Sequence, residues 1–412
     1  MTTIASCPPL ENKRLVLGVT GSIAAYKAAY LASRFTQAGA SVDVILTSSA
    51  AKFITALTFQ SLTGRPVFTD SDLWGAQAHV LHVGLAKNAD ALIIAPATAS
   101  RLAKLAHGLA DDLLGLTALS AQCPIVAAAA MDAGMWMNAA VQDNVRLLKK
   151  RGVILIDPED GRLASGLTAT GRMAEPGRIF GRLRYCLSRR GPLRGKKFLI
   201  TAGPTQEPID PARVLTNRSS GKQGFALAQA ALDQGAEVTL IAGPVALATP
   251  EGAARLNVNS AQDMADAVLN ELERADVLIM AAAVADFKPK RQETKKIKKE
   301  HGLRVIELET TADILLEAGL RRRRQGSPKI IIGFAAETEN LLTNAKAKMK
   351  AKGLDLIVAN DVAGPDAGFD VDTNKVTLLT PDRPPVHLPL ASKAETAQQI
   401  IERAAALLNQ AN

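Results

Sequence analysis

The sequence predicts an α/β protein of two tandem doubly wound, Rossmann-like domains, and three observations carry that expectation. The chain has 412 residues, more than one hydrophobic core usually organises. Hydrophobic residues make up 47% of it and aromatic residues only 4%, a balance that suits buried parallel strands under Ala-rich helices and argues against an aromatic platform for nucleic acid. A strand, turn, helix, strand pattern begins at Lys13 and begins again after the Gly- and Arg-rich stretch 189–197.

In the first half, KRLVLGVT (13–20) is a strand, Gly21-Ser22 a turn, the Ala-rich segment to about Gly39 a helix, and SVDVILT (41–47) a second strand. The apolar runs ADALIIAPATA (89–99), PIVAAAAM (124–131) and GVILIDP (152–158) extend a parallel sheet. In the second half, KKFLITAGP (196–204) is followed by a long loop, a helix from Gly221 and the strand AEVTLIAGP (236–244). TQAGASVDVILT resembles DQGAEVTLIAG, and ADALIIAPATA resembles ADVLIMAAAVA, so the halves share an architecture. The expected divisions are a leader at 1–12, domains at 13–188 and 198–412, and a linker at 189–197. Ligands of such sheets bind beyond the carboxyl ends of the strands.

The net charge of +9 is concentrated in two runs, 288–299 and 321–324, and no helix carries a basic stripe. Phosphorylated small molecules therefore fit better than nucleic acid. Cys7, Cys123 and Cys186 are too few and too scattered for a disulfide framework, which points to a reducing, cytoplasmic setting. No apolar run reaches the length of a membrane span, so no membrane partner is expected.

Gly21 and Ser22 place small residues at a strand-to-helix turn, where backbone N–H groups can hold a phosphate; any tight βα turn has the same composition. Pro96-Ala97-Thr98-Ala99 forms a second such edge. His82, three residues after His79, is a candidate acid or base, against the plainer reading of two histidines on a helix face. Asp132, after a buried strand, is either functional or a helix N-cap. In the second half, Thr205, Glu207, Asp210 and Arg213 lie on the loop, and Ser219, Ser220, Gly221 and Lys222 form a phosphate-binding composition or a plain N-cap without Walker spacing. Asp286, after Ala281 to Ala285, suits a hydrated Mg²⁺. The lysines of 288–299 either neutralise a triphosphate or form a solvated loop. Arg321 to Arg324 end a helix before Gly326, and AETAQQIIERAAALL is an amphipathic helix.

GSIAAYK, the APATA edge, HVGLAKNADALII, MDAGMW and GRLASGLTATGRM together resemble the flavin-containing cysteine decarboxylases over about residues 13 to 180. The resemblance implies an FMN site made by Gly21, Ser22, Ile23, Thr47, Pro96, Ala97 and Thr98. It implies hydride removal from a cysteinyl carbon, loss of carbon dioxide, and return of the hydride, with His82 handling the substrate carboxylate. Asp132 and Ser165 occupy positions where that family carries Asn and Cys, and His107 stands in its Ala-Asn-Gly turn. Asp132 would repel a carboxylate unless protonated or reoriented. Ser165 is a far poorer proton donor than a thiol, so one expectation is that this half stops at the ene-thiol.

The ordered segments AGPTQEPIDPARVLTNRSSGKQG, AAAVADFKPK, KIKK (296–299), IIGFAAET (331–338) and KGLDLIVAND (352–361) resemble the phosphopantothenate–cysteine ligases over about residues 195 to 410. That implies CTP-dependent joining of 4′-phosphopantothenate to cysteine through an acyl-cytidylate. It places Asn217 and Lys296 as catalytic residues and Lys296 on a mobile flap. Met280, Ala281, Ala282, Asp286, Lys296, Ala312, Asp313, Ile314, Leu315, Phe334, Lys348 and Lys352 would hold the nucleotide, with Asp286 at Mg²⁺ and Ser219, Ser220, Gly221 and Lys222 at the substrate. Decarboxylase before ligase is the order of bifunctional bacterial enzymes of coenzyme A synthesis, for which a trimer-based flavin core with dimerising ligase domains is expected. A rival of another class is a regulatory flavoprotein that binds partner proteins.

Overall fold

A computed structural model describes residues 10–74, 80–298, 305–337, 341–361, 371–381 and 383–411. His79, Lys299 and most of the expected leader lie outside them. The chain divides into two compact units, residues 1–187 and 188–412.

Unit 1 is built on six parallel strands: β1 (Arg14–Val19), β2 (Ser41–Leu46), β3 (Val67–Phe68), β4 (Ala91–Ala97), β5 (Ile125–Ala129) and β6 (Ile154–Ile156), in the order β3-β2-β1-β4-β5-β6. This is the doubly wound order, which reverses direction between β1 and β4. Every residue of β4 is buried, because helices cover both faces of the sheet. Along β1, Leu15, Leu17 and Val19 face one core and Val16 the other, the period of two that a strand imposes. On the first face pack α1 (Ala25–Gln37), α2 (Ala56–Thr63) and α8 (Pro176–Ser188), through Leu31, Phe35, Phe59 and Phe180. On the second lie α3 (Leu81–Lys87), α4 (Ala99–His107), α5 (Leu113–Ser120), α6 (Ala133–Met137) and α7 (Ala139–Lys150), through Leu85, Leu102, Leu114, Trp136 and Leu148. A hairpin of β7 (Glu159–Arg162) and β8 (Thr168–Arg172) carries Ser165 at its tip.

Unit 2 repeats the same order and adds to it. Its parallel strands β9 (Lys197–Ala202), β12 (Glu237–Ala242), β13 (Ala253–Asn257), β14 (Val277–Met280), β17 (Ile330–Glu337) and β18 (Leu356–Asp361) run β13-β12-β9-β14-β17-β18. Two antiparallel strands, β20 (Val376–Leu379) and β21 (Val386–His387), complete the sheet. α10 (Ala261–Glu271), α11 (Ile314–Gln325) and α12 (Leu341–Lys352) cover one face with Met264, Val268, Leu315, Ala318 and Met349. α9 (Lys222–Asp233) and α13 (Lys393–Ala411) pack together with a separate set of buried residues, including Leu227, Ala231, Ile400 and Ile401.

The expected long loop after β9 is instead a hairpin, β10 (Gln206–Asp210) with β11 (Arg213–Thr216). Pro208 hides it in the sequence, since proline fits only strands with a free edge, such as this two-stranded ribbon. The lysine run is likewise not all loop. β15 (Phe287–Pro289) pairs with β16 (Leu308–Thr310), and Lys288 and Lys290 form ion pairs with Glu309 and Glu307. The expected linker is tied into unit 2 by the Leu193 N–H, which donates to the Gln234 carbonyl at 2.8 Å. Arg321 to Arg324 do end α11, which Gly326 caps at φ 76°. One further ribbon, β19 (Thr373–Asn374) with β22 (Ala391–Ser392), leads into α13.

Candidate active sites

In unit 1 a cleft of about 420 Å³ opens beyond the carboxyl ends of β1, β2, β4 and β5. Gly21, Ser22, Thr47 and Thr98 line it. A Cβ on Gly21 would come within 2.5 Å of the Ser49 Cβ, so only glycine lets this turn close. Three expected contacts are not in the lining. Ile23 is 61% exposed outside the cleft. Pro96 and Ala97 are strand residues that act through their carbonyls: Pro96 O accepts from the Thr20 hydroxyl at 2.6 Å, and Ala97 O from the Ala130 N–H at 3.1 Å. Thr20, which the sequence did not single out, also accepts from the Thr98 N–H at 3.3 Å and so ties β1 to β4 across the switch point.

The cleft also holds a pair the sequence reading missed. Arg101, 5% exposed, donates to both oxygens of Asp112, with Nη1 at 3.0 Å from Oδ1. Burial raises the Asp112 carboxyl, but the Arg101 guanidinium and the Gly115 N–H outweigh it and hold the group below the usual carboxylate range. An Arg and an acid at helix starts were the available signal. Hydroxyls from Thr20, Ser22, Ser48, Ser49 and Ser100, with Arg101 and Lys104, suit a phosphate, while Met131 and Met135 offer an apolar wall. These residues fit a flavin mononucleotide.

His82 lies on α3 with its Nδ1 buried and without a partner, but it is not in the cleft lining. Asp132 is the N-cap of α6: Oδ1 accepts from the Gly134 N–H at 3.0 Å, and Oδ2 accepts from the Ser165 hydroxyl at 2.8 Å. Ser165, then the Gly134 N–H, hold this carboxyl below its usual range, which favours the anion and rules against a protonated Asp132. The two departures from the family pattern are thus joined to each other. His107 pairs its Nε2 with Asn144 Oδ1 at 3.1 Å.

In unit 2 a cleft of about 780 Å³ sits at the same topological position. Ser219, Ser220, Gly221 and Lys222 line it at the start of α9. The N-cap is Gly221 at φ 74°, with no side-chain cap, so the plain serine-cap reading fails. Met280, Ala281, Ala282 and Asp286 line it from the end of β14, Ala312, Asp313, Ile314 and Leu315 from the start of α11, Phe334 from β17, and Lys348 and Lys352 from α12. Asn217 also lines it, and its Nδ2 donates to the Val284 carbonyl at 3.0 Å, fixing the side chain against the β14 turn. Thr205 and Glu207 are buried supports: the Thr205 hydroxyl accepts from the Ala285 N–H at 2.9 Å, and Glu207 Oε1 from the Ala261 N–H at 2.8 Å.

Lys352 pairs with Asp313 at 2.8 Å, Lys222 with Asp372 at 2.6 Å, and Lys348 donates to the Phe334 carbonyl at 3.2 Å. Lys296 is exposed and outside the lining. Its neighbour Ile297 is anchored by both polar backbone groups: the N–H donates to Asp210 Oδ2 at 3.2 Å, and the carbonyl accepts from Arg213 at 3.3 Å. Residues not foreseen as ligands are Arg218, Gln223, Thr311, Asn360, Asn374 and Lys393. Among the described residues no group of three or more His, Cys, Asp or Glu side chains could hold a metal by itself. A magnesium ion bound with phosphates needs only one or two carboxylates, which Asp286 satisfies. No helix among the described residues is long and apolar enough to cross a membrane.

Two clefts at the switch points of two doubly wound sheets define a two-site nucleotide-handling α/β protein. Residues 5–184 match the family described as Flavoprotein, and residues 193–408 the family described as DNA/pantothenate metabolism flavoprotein C-terminal domain. The coenzyme A biosynthesis bifunctional protein CoaBC of Bacillus subtilis is 45% identical over 404 residues, 97% of this chain and 98% of that one. The protein of the same name from Mycobacterium bovis is 44% identical, over 95% and 96% of the two chains. A crystal structure of the C-terminal domain of a CoaBC protein is 42% identical and covers 53% of this chain and 99% of that one, with a TM-score of 0.46. The chain belongs to the family of coenzyme A biosynthesis bifunctional proteins, and it is a bifunctional flavoprotein enzyme. Neither the regulatory reading nor a stalled flavin half is favoured by these likenesses.

Proposed function

We propose that unit 2 joins 4′-phosphopantothenate to cysteine at the expense of CTP, through an acyl-cytidylate, and that unit 1 decarboxylates the product to 4′-phosphopantetheine with FMN. The observation that carries the ligase reading is the single cleft of about 780 Å³ that gathers Asn217, the start of α9 and, from four other elements, the nucleotide set apart from Lys296. A carboxylate must be activated before an amine can attack it, so nucleotide and acid have to share one water-poor space. Lys348 and Lys352 face the phosphates, and Lys352 can exchange Asp313 for a phosphate oxygen. Asp286 would hold Mg²⁺, which would offset the charge of the phosphates. Asn217, oriented by the Val284 carbonyl, positions the acyl group, and Lys296 completes the charge when its segment closes over the cleft.

In unit 1, FMN when bound supplies a hydride acceptor that later returns the hydride. The chain contributes the hydroxyl and amide cradle of Gly21, Ser22, Thr47 and Thr98 for the phosphate, and Arg101 as a fixed charge. His82, placed beside substrate by assembly of the trimeric flavin core, holds the substrate carboxylate. Ser165, whose single hydroxyl proton is donated to Asp132, serves substrate through a relayed water. The ligase units pair as dimers, and the enzyme works in the cytoplasm.

The test is the purified full chain with phosphopantothenate, cysteine, CTP and Mg²⁺, with products resolved by mass. Phosphopantetheine is the expected product. Accumulation of phosphopantothenoylcysteine would remove the decarboxylase half of the proposal, and absence of CTP-dependent pyrophosphate release would remove the ligase half.

A further inference from the structure

Asn374 lines the cleft of unit 2, is 2% exposed, and has a side-chain Oδ1 without a hydrogen-bond partner. Its orientation is dictated by its neighbours. The Lys393 carbonyl can only accept, so Gln223 turns Nε2 toward it, at 3.3 Å. That leaves the Gln223 Oε1 facing Asn374, and it draws the Asn374 Nδ2 to 2.8 Å. Turning either carboxamide over would set two oxygens against each other. The relay from Lys393 through Gln223 therefore commits Asn374 to presenting an acceptor. A buried acceptor left unpaired is costly, and its cost is relieved by a donor that reaches it from the cleft.

Position indicates which ligand. The expected nucleotide contacts Leu315, Lys348 and Lys352 belong to α11 and α12, on the face of the sheet that α10, α11 and α12 cover. Gln223 opens α9 and Lys393 opens α13, the two helices packed together apart from that cluster. Lys393 is itself 7% exposed and in the lining, so the carbonyl that starts the relay is fixed in the cleft wall.

We propose that Asn374 is a specificity-determining residue that accepts a hydrogen bond from an amine, amide or hydroxyl of a substrate other than the nucleotide. The inference rests on the ligase reading above. Two substrates of that reaction bring such a donor: the amino acid, through its ammonium, and the phosphorylated acid, through its hydroxyl or amide N–H.

The experiment uses the full chain, varying each of the three substrates in turn for wild type and for Asn374→Leu. Loss of a hydrogen bond of this kind is expected to raise one KM by about 10- to 100-fold, with the KM for CTP little changed. A rise confined to cysteine identifies the donor as the amine, and a rise confined to phosphopantothenate identifies a hydroxyl or amide; both support the proposal. A rise confined to CTP, or no rise in any KM, overturns it. Gln223→Leu leaves Asn374 in place but frees its carboxamide to rotate, and it should move the same KM by a smaller factor. It carries the test, with the same outcomes, if Asn374→Leu does not fold. Wild type that releases no pyrophosphate from CTP with phosphopantothenate would instead overturn the ligase reading itself, and the inference with it.

Discussion

The two units share one strand order and differ in how their clefts hold charge. In unit 1 the cleft's arginine is locked: Arg101 is buried and bonded to both oxygens of a mostly buried Asp112. In unit 2 two of the cleft's lysines are loosely held, since the Lys352–Asp313 and Lys222–Asp372 pairs are both partly exposed. A buried pair is a permanent part of the fold, because losing one partner strands a charge out of water. An exposed pair contributes little to stability and can trade its carboxylate for a phosphate. The same topology thus supports a cofactor that stays bound and a nucleotide that must leave each turnover.

Breaking the locked pair should have the largest effect. Asp112→Ala leaves Arg101 uncompensated and should cost unit 1 about 3–5 kcal/mol, read by denaturant unfolding of the full chain; a loss below about 1 kcal/mol would show that the pair is no more fixed than those of unit 2. Next, Asn217→Ala should lower the ligase kcat by roughly 100-fold, as loss of one preorganised donor does, while decarboxylation of supplied phosphopantothenoylcysteine is unchanged. Gly21→Val forces a Cβ into Ser49, and the purified protein should lose most of its flavin absorbance with ligase activity intact. The smallest change in stability belongs to Lys352→Ala, less than about 1 kcal/mol, although the KM for CTP should rise by about tenfold, the loss of a charged hydrogen bond.

Acid sharpens the same contrast. Asp112 is held below its ordinary value of 3.8 in the folded state, so the stability it contributes is complete above that value. It is lost as the pH falls through the lower, folded value. Unfolding scans should therefore show unit 1 weakening below about pH 4, and Asp112→Ala should remove that part of the acid dependence.

Much of the fold was legible because it rests on short-range pattern. The runs around β1, β4, β9 and β14 are unbroken apolar segments with small residues after them, so both strands and ligand edges could be placed. The β10–β11 hairpin was not legible, since Pro208 and the short ribbon carry no alternating apolar face. In the ligase cleft, Asn217, Asp286 and the α11 start were found from motifs, and all line the cavity. Lys296 was found and does not, because its segment is anchored through Ile297 to Asp210 and Arg213. His82 was named as well, and among the described residues it is not in the lining of the flavin cleft.

By itself the sequence determined two doubly wound sheets, the turns beyond their strands, and the family of both halves. Those properties follow from residue periodicity and backbone sterics over a few neighbouring positions. Only the tertiary structure decided which distant groups meet. It joined Ser165 to Asp132, closed Arg101 on Asp112, and lined up Lys393, Gln223 and Asn374 so that one carboxamide oxygen is left for a ligand. Hydrogen-bond direction is a property of completed networks, and a network spanning three separate elements has no local signature in the chain.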